Sequence, residues 1–146
     1  MKSEHFKLTS AVHLFLIEHS TILLARRANT GYEDGNYSVP AGHLDGGESI
    51  KQAMAREARE EVDLIIEPKD LILAHVMHRN SDSGGGERID FFFRPDSWKG
   101  SPRIMESKCD ELRWSHLYDL PENTIPYIRS AIENYCKGVL FSEFGW

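Results

Sequence analysis

The stretch Gly42-His43-Leu44-Asp45-Gly46-Gly47-Glu48-Ser49-Ile50-Lys51-Gln52-Ala53-Met54-Ala55-Arg56-Glu57-Ala58-Arg59-Glu60-Glu61-Val62-Asp63-Leu64 decides how the rest of the chain is read. Gly46-Gly47 marks a turn. Ser49 followed by Gln52 fits a capping box, so Ser49 predicts the N-cap of a helix that runs to about Val62. Ala53, Ala55 and Ala58 favour that helix. Ile50, Met54, Ala58 and Val62 recur four apart and form its apolar stripe. In such a helix Glu57 has Glu60 at i+3 and Glu61 at i+4. Each such like-charge pair costs roughly 0.2–0.5 kcal/mol, which a bound divalent cation would turn into affinity. Mg²⁺ takes oxygen ligands and is commonly shared between carboxylates and substrate phosphates. A solvated face with an Arg56–Glu60 ion pair is the plainer explanation of the same charges.

Working outward, Val12–Ile17 and Ile22–Ala25 are β-rich runs that predict a hairpin buried on both faces. Residues 28–36 predict a loop and Tyr37–Pro40 a short strand. Leu64–Ile66, Leu71–Met77, Ile89–Phe93 and Leu112–Trp114 predict further strands, with a glycine-rich hairpin loop at 81–86. Thr124–Lys137 predicts a second helix, with Ile125, Ile128, Ile132 and Tyr135 on one face and Gly138 ending it. The order predicts an α/β fold, one mixed sheet with helices on both sides.

The chain has 146 residues, with 17 basic and 23 acidic side chains and a net charge of −6. One domain spanning 1–146 is expected at this length. An acidic chain is a poor binder of long nucleic acid or of an anionic membrane, because both interactions rest on Lys and Arg. Cys109 and Cys136 are expected to be reduced thiols. The first residues, Met1 to Lys7, show no signal-peptide pattern, and the longest apolar run is too short to cross a bilayer. The protein is therefore expected in the cytoplasm, as a monomer or homodimer.

Gly42, Glu48, Arg56-Glu57-Ala58, Glu60-Glu61 and Leu64 resemble the Nudix box, G-x5-E-x7-R-E-U-x-E-E-x-G-U, where U is apolar. Every defined position fits except Asp63, which replaces the last glycine. A left-handed residue is common at that helix end. Asp tolerates the conformation better than most, so a changed terminus with an unaffected metal site is expected. Arg26-Arg27 resembles a pair in MutT-like triphosphatases, and Ser38–Leu44 their L-P-G-G segment. Glu106–Trp114 with Leu120-Pro121 resembles the tail segment of some nucleoside triphosphate diphosphatases of the family.

The resemblance implies a Nudix α/β/α sandwich and hydrolysis of a nucleoside diphosphate linked to a further group. It implies Glu57, Glu60 and Glu61 as ligands of Mg²⁺, or Mn²⁺, with the Gly42 carbonyl beside them. It implies a Glu48–Arg56 ion pair that orients the helix against its loop. Glu57 and Glu60 are the first choices for general base, and Glu106 and Glu111 the alternatives. Arg27 and His43 are expected on substrate phosphates, and Tyr127 near the base. His75 and His78, three apart on a strand, face opposite ways and are rejected as a metal pair.

The stretch Met77–Asp82 lacks the proline typical of ADP-ribose hydrolases and the tyrosine typical of dinucleoside polyphosphate hydrolases. No extra N-terminal segment of the kind found in dimeric ADP-ribose hydrolases is seen either. The substrate expected is a nucleoside triphosphate, the class including oxidised or otherwise modified purines, cleaved to monophosphate and pyrophosphate. ADP-ribose or nucleotide-sugar hydrolysis is the alternative, and a non-catalytic nucleotide sensor a distant one. The aromatic tail Phe141–Trp146 is expected to dock on the sheet, at a dimer contact, or across the nucleotide pocket.

Overall fold

A computed structural model of the chain describes residues 4–81 and 86–146. The strands are β1 (Thr9–Leu14), β2 (Ile17–Glu18), β3 (Thr21–Arg27), β4 (Tyr37–Ser38), β5 (Ala41–His43), β6 (Leu71–Ser81), β7 (Gly86–Pro95), β8 (Cys109–His116) and β9 (Phe141–Phe144). The helices are α1 (Ile50–Val62) and α2 (Pro126–Cys136), with a 3-10 turn at Pro68–Asp70. Residues 82–85 of the glycine-rich loop lie outside the described residues.

The strands form two sheets where the sequence predicts one. The first is mixed, in the order β5-β1-β7-β6-β9, and the second centres on β3, which pairs antiparallel with β2, β4 and β8. The run Val12–Ile17 is not one hairpin strand. It leaves the first sheet after Leu14 and enters the second at Ile17, and the true hairpin is β2–β3 across His19-Ser20, both at positive φ. Phe15 and Leu16 at the crossing are fully buried. An unbroken apolar run has no alternation, so its periodicity cannot mark where one sheet ends. Leu64–Ile66 forms only one bridge, Ile65 to Lys99, instead of a strand.

Two apolar cores flank the first sheet. Val12, Leu14 and Leu16 pack with Met54, Ala58 and Val62 of α1. Phe15 and Phe92 pack with Ile128 and Ile132 of α2. Successive strand residues face opposite sides, so neighbouring positions feed the two cores in turn. This gives the helix, sheet, helix layering that the sequence implies.

The α1 cap is as expected. Ser49 Oγ accepts from the Gln52 N–H at 3.1 Å, and Gln52 Oε1 accepts from the Ser49 N–H at 2.8 Å. At its other end Asp63 is left-handed, at φ 59° and ψ 38°, and Arg103 Nε donates to its carboxylate at 2.9 Å. The helix terminus is thus kept, where a change was expected. Asp takes the conformation that glycine favours, and an ion pair holds its side chain.

The tail docks on the sheet, as one of the three expected placements. β9 adds parallel to β6, Val76 opposite Phe141 through Arg79 opposite Phe144. His75 Nδ1 lies 2.8 Å from the Val139 carbonyl oxygen and Nε2 lies 2.7 Å from Ser142 Oγ, while the Trp146 indole donates to the His78 carbonyl at 3.1 Å. Both histidines therefore hold the tail. Cys109 and Cys136 are free thiols, and no described helix is long and apolar enough to cross a membrane.

Candidate active site

A cavity of about 460 Å³ opens where β5, α1 and the α2 face of the first sheet meet. Gly42, Glu57 and Glu61 line it together with Arg27, His43, Glu106 and Tyr127. Glu48, Arg56, Glu60 and Glu111 do not. Seven of the expected site residues thus meet in one space, although they come from five separate parts of the chain.

Glu57 packs its carboxylate against Gly42, in the space where a side chain at that position would begin. Glu57 sits on the inward face of α1 and is 9% exposed. A Cβ on Gly42 would lie 2.0 Å from its Cδ and 2.2 Å from both carboxylate oxygens. Only glycine leaves that carboxylate room. Burial pushes the Glu57 carboxyl up, and the Arg56 guanidinium partly opposes this. Burial pushes Glu61 up as well, and the adjoining carboxyl of Glu106 adds to it, to about 7.

Arg56 joins the helix to its preceding loop. Its Nη2 donates to Glu48 Oε1 at 2.8 Å and its Nε donates to both Glu48 oxygens at 3.1 and 3.2 Å. Nη1 donates to Glu57 at 2.8 Å and to Glu60 at 3.3 Å. Hydrogen bonds to Glu48 first, then to Glu57 and Glu60, raise the arginine further above its already high value. The bond from Arg56 lowers Glu48 in turn. The expected Glu48–Arg56 pair is present, and so is the Arg56–Glu60 pair of the plainer explanation. Glu60 is turned outward to that arginine.

The donors are all carboxylate oxygens, which suit a hard divalent cation. Glu57 and Glu61 reach the cavity, and the burial and carboxylate repulsion that raise Glu61 mark crowded negative charge there. Among the described residues no three acidic, histidine or cysteine side chains already form a closed metal cage. The residues fit such an ion in chemistry, with Glu60 engaged by Arg56.

Arg27 Nε donates to the Tyr32 carbonyl at 2.8 Å, and its guanidinium lies 5.2 Å from the Tyr32 ring centre. The side chain is thereby anchored at the cavity by the loop after β3. Partial burial and the nearby Arg88 charge push the His43 imidazole below its usual value. A neutral His43 is a weaker phosphate partner than the sequence suggests. Glu111 is engaged elsewhere, accepting a hydrogen bond from the Tyr37 hydroxyl and facing Arg26.

Sequence reasoning misses His13, Arg79, Arg88, Asp90 and Lys108, which also line the cavity. Asp90 and Arg88 alternate with Ile89, Phe91 and Phe93, so a charged face on an otherwise apolar strand is the signal that could have found them. Asp90 is fully buried. Burial pushes its carboxyl up, but hydrogen bonds from His13 and Arg79, with the Arg79 charge, outweigh this and hold it down at about 2. Burial also pushes the Tyr127 hydroxyl up, to about 12.

Comparison with known proteins adds to this geometry. A family model described as NUDIX domain matches residues 7–135. The NAD-capped RNA hydrolase NudC of Stutzerimonas stutzeri (strain A1501) is 27% identical over 126 residues, 81% of this chain and 40% of that protein. The 8-oxo-dGDP phosphatase NUDT18 of Mus musculus is 37% identical over 59 residues, 40% of this chain and 18% of that protein. The chain thus spans less than half the length of either relative. Among solved structures, the MutT NUDIX hydrolase from Burkholderia pseudomallei superposes with a TM-score of 0.79 at 25% identity, over 88% of this chain and 98% of that one. The MutT protein from Methanosarcina mazei Go1 has a TM-score of 0.75 at 20% identity, over 93% and 98%, and shows the shared fold alone.

Proposed function

Because the chain belongs to the NUDIX hydrolase family, we propose that it cleaves the phosphoanhydride of a nucleoside triphosphate, releasing monophosphate and pyrophosphate. The observation that carries this reading is the composition of one cavity wall set. Glu57, Glu61 and Glu106 face the same space as Arg27, Arg88 and Lys108. A polyphosphate needs both kinds of group, cations for its oxygens and carboxylates for a bridging metal. The cavity size suits a single nucleotide.

Members of the family act with divalent metal ions, and the ion proposed here is Mg²⁺, with Mn²⁺ as a substitute. Glu57, Glu60 and Glu61, with the Gly42 carbonyl, would hold it, and it would supply Lewis acidity and an activated water when bound. Arg27, fixed by Tyr32, would bind a phosphate and help hold the scissile bond in place. Glu57 and Glu106, the candidate bases that line the cavity, would accept the proton of the attacking water. Arg56 would keep α1 and its loop in register through Glu48. Its part is positional, since it lies outside the cavity.

The test is a panel of nucleoside triphosphates, ADP-ribose and a nucleotide sugar with Mg²⁺, read by pyrophosphate or phosphate release. Glu57→Gln and Glu60→Gln serve as controls. Triphosphate turnover that both substitutions abolish is expected. Strong ADP-ribose cleavage with no triphosphate turnover refutes the substrate assignment, and undiminished turnover in both variants refutes the site.

A further inference from the structure

The cavity floor carries a polar network that phosphate chemistry does not use. His13 on β1 lies opposite Phe92 on β7, two residues from Asp90, and Asp90 lies opposite Met77 on β6, two residues from Arg79. The three therefore share one sheet face. They are 3%, 0% and 4% exposed, and all three line the cavity. His13 Nε2 lies 3.0 Å from Asp90 Oδ1, and Arg79 Nε donates to Asp90 Oδ2 at 2.9 Å. The Tyr127 ring covers the guanidinium at 3.6 Å from its centre, and the imidazole stacks on Phe92 at 4.5 Å. Both side chains are locked in orientation. Buried ionic networks seldom stabilise more than apolar packing would, so this one calls for a reason beyond stability.

Its open valences supply that reason. The single Asp90 charge is already matched by Arg79, which is always cationic. A second cation at His13 would bury net positive charge. A neutral His13 donates its Nε2–H to Asp90 and presents Nδ1 as a bare acceptor. Nδ1 is buried and has no hydrogen-bond partner. Among the described residues Arg79 donates only through Nε, so its Nη donors remain to be used. An acceptor without a donor and a donor without an acceptor are thus tied to opposite oxygens of one carboxylate.

We propose that His13 and Arg79, set by Asp90, read the base of the substrate and select a lactam edge, in which a ring N–H stands beside a carbonyl. Arg79 donates to the carbonyl and His13 Nδ1 accepts from the N–H. Guanine, hypoxanthine and uracil carry this edge. Adenine and cytosine do not. The inference rests on the nucleotide hydrolase reading above and narrows its substrate class.

Inosine and adenosine 5′-monophosphates are matched probes, differing only at this edge. Calorimetry on the full chain is expected to show inosine monophosphate binding at least about tenfold more tightly, the size of one well-made base contact. His13→Phe keeps an aromatic ring on Phe92 and leaves the Arg79–Asp90 pair. It is expected to cut the preference to about threefold or less, since a hydrogen-bond acceptor is lost. Arg79→Lys keeps the charge without the planar fork and is the second variant, expected to weaken the same preference. Equal binding of the two probes, tighter adenosine monophosphate, no binding of either, or a preference intact in both variants overturns the proposal. Turnover of the inosine and adenosine triphosphates is followed separately. Selective binding without turnover of either refutes the hydrolase reading and leaves edge recognition standing. Equal turnover without selective binding does the reverse.

Discussion

Gly42→Ala separates the fold from the site more sharply than any other single change. The added Cβ would meet Glu57 Cδ at 2.0 Å and both carboxylate oxygens at 2.2 Å. Ordinary contact begins near 3.4 Å, so the carboxyl group must move by about 1.4 Å. It sits at the end of a flexible side chain, and the rest of α1 need not follow. An off-rotamer adjustment costs about 0.5–1.5 kcal/mol. Loss of part of the 2.8 Å bond from Arg56 adds little, because Arg56 keeps Glu48. The expected fall in melting temperature is therefore only about 2–5 °C. Activity responds to a different quantity. A displacement of about 1 Å in a group that positions the reaction costs on the order of 10²-fold in rate. Scanning calorimetry and initial rates with excess Mg²⁺ measure the two effects on one preparation. A variant within threefold of the parent in rate would show that the Glu57 position against Gly42 is irrelevant to turnover. A variant that fails to fold would show that the contact carries α1 itself. Either result refutes the reasoning.

Other substitutions test the remaining supports. Asp63 is left-handed, so Asp63→Val should lose about 1–2 kcal/mol in urea unfolding while Asp63→Gly stays near the parent value. Gly145 stands at φ 84°, where a Cβ would meet the Asn80 carbonyl oxygen at 2.1 Å. Gly145→Ala should release the tail end, seen as faster amide exchange at Phe144 and Trp146. Asp90 has its folded carboxyl value held down at about 2 against the ordinary 3.8. The folded value is the lower one, so this contribution is present above pH 3.8 and lost as pH falls toward 2. It amounts to about 2 kcal/mol, and the stability gap between the parent and Asp90→Asn should narrow across that window. A gap unchanged between pH 5 and 2.5 counts against it. Chelation should stop hydrolysis, and Mg²⁺ at 100 times its dissociation constant should stabilise the parent by about 2.7 kcal/mol. Glu61→Gln should reduce that gain.

What the sequence made legible was local. The capping box, the stripe of α1 and the Glu48–Arg56 spacing all lie within one short stretch, where helix geometry fixes who meets whom. Asp63 was legible for the same reason, since the left-handed cap depends on its own backbone. The break in Val12–Ile17 was not, because Val12 to Leu16 are all buried and nothing in the run marks where one sheet hands over to the other. The network of His13, Arg79 and Asp90 was harder still. Its members come from three strands, and their meeting depends on the parallel pairing of β1 with β7 and the antiparallel pairing of β6 with β7. Glu111 shows the opposite error. Its motif position suggests the site, but strand β8 turns it toward Tyr37 and Arg26.

The net charge of −6 therefore says little about the site. The cavity carries Arg26, Arg27, Arg79, Arg88 and Lys108 against Asp45, Glu57, Glu61, Asp90 and Glu106. These charges are not free to cancel at random. Asp90 is spent on Arg79, and Asp110 takes Arg26 at 2.7 Å. What remains is a cationic set of Arg27, Arg88 and Lys108 and an acidic set on or near α1. Two such sets side by side repel neither a polyphosphate nor a divalent cation when both arrive together, though each alone would meet one unfavourable wall. Screening weakens charges beyond about 8–10 Å at ordinary ionic strength. The excess acid elsewhere on the surface thus has little reach into the cavity. It opposes a long nucleic acid, which must lie across that surface, far more than a single nucleotide, which need not.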